Sequence, residues 1–204
     1  ITEAVIRPVV CGMTVGTAAP EHLKRKSDIR PGQNIIMTKS AGFEGTAILA
    51  REYGERLAGK GVSKDAISRG ADFLDHISIL PEARIACVHP GVTAMHDITE
   101  GGAATALREI VAPSGWGLEI NIENIMIDRI TSEFCEAVQI DPLGLIGSGS
   151  LLIACAEDET SVLVRALNAA EIPAREVGTV TTSGGVSARS GVLPVFDVDE
   201  ITRL

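Results

Sequence analysis

Three glycine-rich turns interrupt this chain, and each abuts a strand-length apolar run. They are Ser40-Ala-Gly-Phe-Glu-Gly-Thr46, Met95-His-Asp-Ile-Thr-Glu-Gly-Gly102 and Gly147-Ser-Gly-Ser150. The neighbouring runs are 34–38, 92–95 and 151–156. A chain that turns within a few residues of a strand needs backbone conformations that glycine adopts freely. With Gly 21 and Pro 9 in 204 residues, a coiled coil is excluded. A chain of this length can bury roughly 70% of its unfolded surface, so it needs neither disulfide nor metal to hold a core.

Apolar spacing predicts the elements between the turns. Helices are expected over 46–57, from the cap at Ser63 through a stripe of Ile67, Ala71, Leu74 and Ile77, from Pro81 to about His89, and over 103–111, 131–138 and 159–170. Strands are expected at 34–38, 92–95, 116–122, 151–156 and 175–180, with two short strands closing the chain like a hairpin. Residues 3–17 read as an extended segment with Pro8 at an edge or bulge. Strands and helices mix without strict alternation. The expected class is α+β, a mixed β-sheet flanked by helices.

The charge balance narrows the function. Eighteen basic residues face 27 acidic ones, for a net charge of −9. Nucleic acid is not expected as a partner, because the one basic run, Lys24-Arg-Lys26, reads as a solvated loop. No apolar run approaches the ~20 residues that span a bilayer, and no signal peptide is visible. Cys11, Cys87, Cys135 and Cys155 form no Cys-x-x-Cys pair and have no histidine at metal spacing, so zinc is not expected. Cys11 and Cys155 lie in apolar runs and are expected to pack as small hydrophobes. A reducing, cytoplasmic setting follows.

The turn at Asp97 to Gly102 carries the strongest local signal. A strand ends, two glycines free the backbone, and a helix begins, so unpaired N–H groups and the helix dipole could hold a phosphate. Thr99 adds a hydroxyl, and Asp97 could meet Mg²⁺. A second reading stands beside this one. Asp97 or Thr99 is then a plain helix cap, Glu100 a first-turn acid, and Gly101 and Gly102 serve close packing. The turns holding Gly42 and Gly45, and Gly147 and Gly149, admit the same pair of readings; neither is a P-loop. His96 beside Asp97 is not expected to form a dyad, because neighbours on a strand point to opposite faces. His76 reads as a helix-end cap and Trp116 as a core residue. No catalytic base or nucleophile can be assigned.

Taken together, these segments resemble the AIR-synthase superfamily. Val92-Thr-Ala-Met-His-Asp-Ile-Thr-Glu-Gly-Gly-Ala-Ala-Thr-Ala-Leu107 is similar to the family's Val-x-Ala-Met-x-Asp-Pro-Thr-x-Gly-Gly-x-x-x-x-Leu, with Ile98 in place of the proline. Ser114-Gly-Trp-Gly-Leu-Glu-Ile120 resembles the strand that follows it, and Asp141-Pro-Leu143 through Ala154 the family's Asp-Pro-Leu, turn and strand. Arg7-Pro-Val-Val-Cys-Gly12 and Gly16 resemble the last strands of the family's N-terminal domain. The likeness is to the hydrogenase-maturation, HypE-like branch.

The resemblance implies an AIR-synthase C-terminal-domain fold over residues 19–204, preceded at 1–18 by tail strands of a missing N-terminal ATP-binding domain. It implies the C-terminal half of an ATP-dependent enzyme that activates an amide or carbamoyl oxygen by phosphoryl transfer, then eliminates or displaces phosphate. The alternative is a non-catalytic binding or scaffold domain of the same fold. ATP and Mg²⁺ are the implied cofactors, mainly through the missing half, so these residues alone are expected to be inactive. Asp97, Thr99, Glu100, Gly101 and Gly102 would face phosphate, with Gly42, Gly45, Gly147 and Gly149 as lesser contacts. The substrate would be a small molecule or a carbamoylated protein, and the chain a homodimer through residues 3–17. The chain closes on Ile201-Thr-Arg-Leu204, where the HypE-like branch carries a Pro-Arg-x-Cys tail.

Overall fold

A computed structural model describes residues 11–20 and 23–204. Among them, six strands form one mixed sheet: β1 (Asn34–Thr38), β2 (Val92–Asp97), β3 (Gly117–Ile120), β4 (Leu151–Cys155), β5 (Ala174–Thr181) and β6 (Val186–Ala188). Their order is β2-β4-β1-β5-β3-β6. Every pairing is antiparallel except that of β3 with β6. Seven helices surround the sheet: α1 (Phe43–Glu52), α2 (Gly54–Gly59), α3 (Lys64–Ala71), α4 (Leu80–Cys87), α5 (Gly102–Val111), α6 (Arg129–Val138) and α7 (Glu157–Ala169). The class is α+β, as the sequence predicts.

All five residues of β1 and of β4 are buried, which explains the unbroken apolar run of β4 and the apolar centre of β1, whose polar ends, Asn34 and Thr38, hydrogen-bond within the core. Strand alternation sends Ile35, Met37, Leu152 and Ala154 to the face covered by α5. It sends Ile36, Leu151, Ile153 and Cys155 to the face covered by α4 and α7, where Leu163 and Leu167 meet them. A third core lies among α1, α2, α3 and α6, built on Leu49, Leu57, Phe134, Val138 and Leu145. Trp116 packs against the first of these cores.

Several expectations shift in detail. The helix expected over 46–57 is two helices that part at Tyr53, whose φ of −119° leaves the helical region ahead of Gly54, a poor helix former. Ser63 caps α3 as predicted, its hydroxyl oxygen accepting the Ala66 N–H at 3.1 Å. The stripe that follows runs on into a 3-10 turn, Asp72–His76. The hairpin-like ending is a correction. One strand, β6, follows β5, and it pairs with β3 in parallel rather than folding back on β5. The chain then crosses the domain as an irregular strap to a final 3-10 turn, Glu200–Arg203.

Of the extended segment expected at 3–17, residues 3–10 lie outside the described residues. Residues 11–19 carry no regular secondary structure and are exposed. Cys11 is therefore exposed, against the expectation that it packs as a small hydrophobe; nothing among the described residues covers its apolar run. Cys155 is buried as expected. No helix among the described residues is long and apolar enough to cross a membrane.

Candidate functional site

β4 runs antiparallel to both β1 and β2, so the start of β4 and the ends of the other two strands share one end of the sheet. The three glycine turns are attached there, and the structure packs them on one another. Gly42 begins α1 with a φ of +65°, and Gly45 N–H donates to Ile146 O at 2.9 Å. At Gly147 a Cβ would lie 2.7 Å from Ile98 Cγ2 and 3.5 Å from Gly42 N. At Gly149, whose φ is +111°, it would lie 2.8 Å from Phe43 Cδ1. The missing side chains are what let three separate loops touch.

The turn at 97–102 is held from two sides. Ile98, fully buried, donates its N–H to Ser150 O at 3.0 Å. Gly101 has a φ of +77° and donates its N–H to Asp199 Oδ2 at 2.8 Å. Gly102 N–H donates to Thr99 O at 3.1 Å, and a Cβ at Gly102 would lie 2.5 Å from Leu143 O. Both glycine amides thus have partners inside the chain. The backbone N–H groups of Thr99 and Glu100 and the Thr99 hydroxyl make no hydrogen bond among the described residues. These are the donors this turn leaves open to an anion.

Sequence reasoning missed Asp199 and Glu200, both buried. Asp199 also accepts Ile146 N–H at 3.2 Å and Ile201 N–H at 3.0 Å. Its carboxylate stitches the second and third turns together and caps the final 3-10 turn. Glu200 accepts Asp141 N–H at 2.9 Å and pairs with Arg203 at 2.7 Å. The hydrogen-bonded ion pair with Glu200 raises the pKa of Arg203. An acidic residue one position ahead of a short helix is a cap signal, and Asp199 could have been read that way.

His96 and Asp97 depart from strand alternation. His96 Nδ1 lies 3.7 Å from Asp97 Oδ1, too far for a hydrogen bond, while its Nε2 lies 2.9 Å from Glu109 Oε2 on α5. Lys26 Nζ stands 3.5 Å from His96 Nδ1. Asp97 is half exposed at the end of an edge strand. Among the described residues no group of three or more His, Cys, Asp or Glu side chains is placed to hold a metal ion. Asp97 is a single carboxylate, within the one or two that ordinarily hold Mg²⁺ together with substrate phosphates.

On the other side of Ser40 a cavity of about 400 Å³ opens beside the turn at 40–46, bounded by Lys39, Phe43, Asp128, Glu171 and Pro173. Ser40 anchors its wall: its hydroxyl donates to Ala41 O and accepts Asp128 N–H at 2.8 Å.

A mixed sheet with helices on both faces, and a site assembled by glycine turns at one end, defines the class of this domain. The chain belongs to the family described as AIR synthase related protein, C-terminal domain, whose sequence model matches residues 30–191. The carbamoyl dehydratase HypE of Cupriavidus necator is 29% identical over 157 residues, covering 76% of this chain and 42% of that protein. The carbamoyl dehydratase HypE of Rhizobium leguminosarum is 28% identical over 173 residues, covering 82% of this chain and 47% of that protein. The crystal structure of E. coli HypE superposes with a TM-score of 0.69 at 23% identity, covering 86% of this chain and 52% of that one. A HypE structure in complex with ATP gives 0.62 at 20% identity, over 86% of this chain and 54% of that one. The chain spans about half the length of the curated relatives it matches.

Proposed function

We propose that residues 19–204 are the C-terminal half of an ATP-dependent, HypE-like enzyme and form one wall of its nucleotide cleft. The reaction is phosphoryl activation of an amide or carbamoyl oxygen. The observation that carries this reading is the meeting of three glycine turns at one sheet end, with the Thr99 and Glu100 amides and the Thr99 hydroxyl left open. The likeness to carbamoyl dehydratases, and to a HypE that binds ATP, supports it.

In this reading Thr99 and Glu100 meet phosphate oxygens. Gly101, Gly102, Gly42, Gly45, Gly147 and Gly149 set the spacing of the wall. The γ-phosphoryl group passes from ATP to the substrate oxygen, leaving ADP, and the oxygen then departs as phosphate. Asp97 would give Mg²⁺ one carboxylate, the other ligands coming from the triphosphate and from a preceding ATP-binding domain. The substrate is a small molecule or a carbamoylated protein. The chain works as a homodimer, and the setting is cytoplasmic.

The test is titration with a non-hydrolysable ATP analogue and Mg²⁺, followed by a structure of the complex. Phosphate density within reach of 97–102, and weaker binding by Thr99→Val, are the expected results. Phosphate bound elsewhere rejects the assignment of this turn. Residues 1–204 alone should release no phosphate from ATP.

The Asp199 contact favours a second reading, a non-catalytic binding or scaffold domain. Its carboxylate already satisfies the Gly101 and Ile146 amides, so this wall could be closed to nucleotide. Failure of the analogue to bind while the strap stays in place would select that reading.

A further inference from the structure

The cavity beside Ser40 has a chemistry of its own. Its volume of about 400 Å³ suits a small organic molecule. Phe43, Met126, Ile127 and Pro173 make its apolar surface. Four ionisable residues also line it: Lys39, His76, Asp128 and Glu171.

The cation among them is spent. Lys39 Nζ donates to His76 O at 3.1 Å and Ser78 O at 2.8 Å, and pairs with the buried Glu82 carboxylate at 3.0 Å. Three partners match the three hydrogens of an ammonium group. The carboxylates are not spent. Neither Asp128 nor Glu171 enters an ion pair among the described residues. Asp128 uses one oxygen to cap α6, accepting Ile130 N–H at 2.7 Å. The cavity is thus left with two carboxylates outside any ion pair, on exposed residues at the rim of an apolar floor.

Backbone strain marks the same place. Non-glycine residues with positive φ are Lys39, Gln139 and Glu171, and two of these three line the cavity. Lys39 N–H donates to Pro173 O at 2.7 Å, tying the two strained corners together. Glu171 follows α7 in the left-handed position that closes a helix, where glycine sits without cost. Its N–H bonds Asn168 O at 3.0 Å, and Ile172 N–H bonds Leu167 O at 3.0 Å. A glutamate held in a glycine position points to a use for its side chain.

We propose that this cavity binds a small organic cation, an ammonium group on an apolar body, with its charge facing Asp128 and Glu171. It deepens the reading above by naming the chemistry of the second substrate, and rests on that reading only for the role of substrate.

The test uses three probes of similar shape on residues 1–204: phenethylammonium, neutral phenethyl alcohol and anionic 3-phenylpropionate. Binding is followed by calorimetry and by amide shifts. The ammonium probe should saturate and bind most tightly. Asp128→Asn, which keeps the helix cap, and Glu171→Gln should each weaken it about fivefold, the scale of one partly exposed charge pair. Glu171→Gly separates binding from structure. It relieves the strained φ, so the melting temperature should rise while ammonium binding falls. Equal binding of the alcohol or the anion, no saturation by the ammonium, or indifference to both Glu171 variants overturns the proposal. The ATP analogue is titrated into the same variants. Ammonium binding without nucleotide binding keeps the cavity and rejects the enzymatic reading, and the converse rejects the cavity alone.

Discussion

The carboxylate of Asp199 accepts the amide hydrogen of Gly101 at 2.8 Å, joining residues 98 positions apart. Asp199→Ala leaves the buried Gly101 donor and the half-buried Ile146 donor without a partner and should cost about 2–4 kcal/mol, since hydrogen bonds to a charged acceptor exceed the neutral average. Asp199→Asn keeps one oxygen acceptor and should cost less. Urea midpoints of the two variants check the order.

Gly102→Ala should destabilise by about 2–4 kcal/mol, because a Cβ there meets Leu143 O in a left-handed backbone. Gly61 is the control. Its φ is also positive, at +95°, but nothing lies within 4 Å of its Cβ position. Gly61→Ala should cost only about 1 kcal/mol, the conformational term alone. Equal losses in the two variants would show that loop packing does not matter at Gly102.

Glu82 is fully buried and its Oε2 has no hydrogen-bond partner, so its charge depends on Lys39 and on Thr38, whose hydroxyl donates to Oε1 at 3.3 Å. Lys39→Met should cost about 3–5 kcal/mol by leaving that charge uncompensated. Lys39→Met with Glu82→Leu should recover most of the loss. A double-mutant cycle in urea measures the coupling, and additive losses would contradict it.

Burial pushes the Cys135 thiol up to about 12, helped by the negative charges of Asp141 and Glu200. The folded state therefore holds this proton more tightly than the unfolded chain, whose thiol titrates near 9.0. The stability from Cys135 is complete below that value and declines as pH rises from about 9 to 12. Cys135→Ala should flatten this part of the stability–pH curve. In iodoacetamide at pH 8, exposed Cys11 and Cys87 should be alkylated well before Cys135 and Cys155, as read by peptide mass spectrometry.

The order of these elements was legible where local chemistry decides it. β4 and the centre of β1 are apolar because both faces are covered, and Ser63 and Pro81 start their helices as capping rules say. The end of the chain was not legible. Val186–Ala188 is short, and the strand it joins lies almost seventy residues back, so no turn signal announces the pairing. The site divides in the same way. Glycines in three turns were visible, but their service to one another depends on Gly147 meeting Ile98 and Gly102 meeting Leu143, contacts set by tertiary structure. The Gly101 amide looked open to phosphate because Asp199, far along the chain, could not be placed beside it.

β1 sits mid-sheet between β4 and β5, neither of which is encoded before Leu151. A ribosome therefore releases Asn-Ile-Ile-Met-Thr long before either neighbour exists. Among the described strands the central one is made first, and it waits for both neighbours until β5 is made. Until then an apolar segment with two open edges remains in the nascent chain, the sort of surface that chaperones bind and that aggregates recruit. A message cut short before β4 would yield not a smaller domain but an unfinished sheet with its centre exposed.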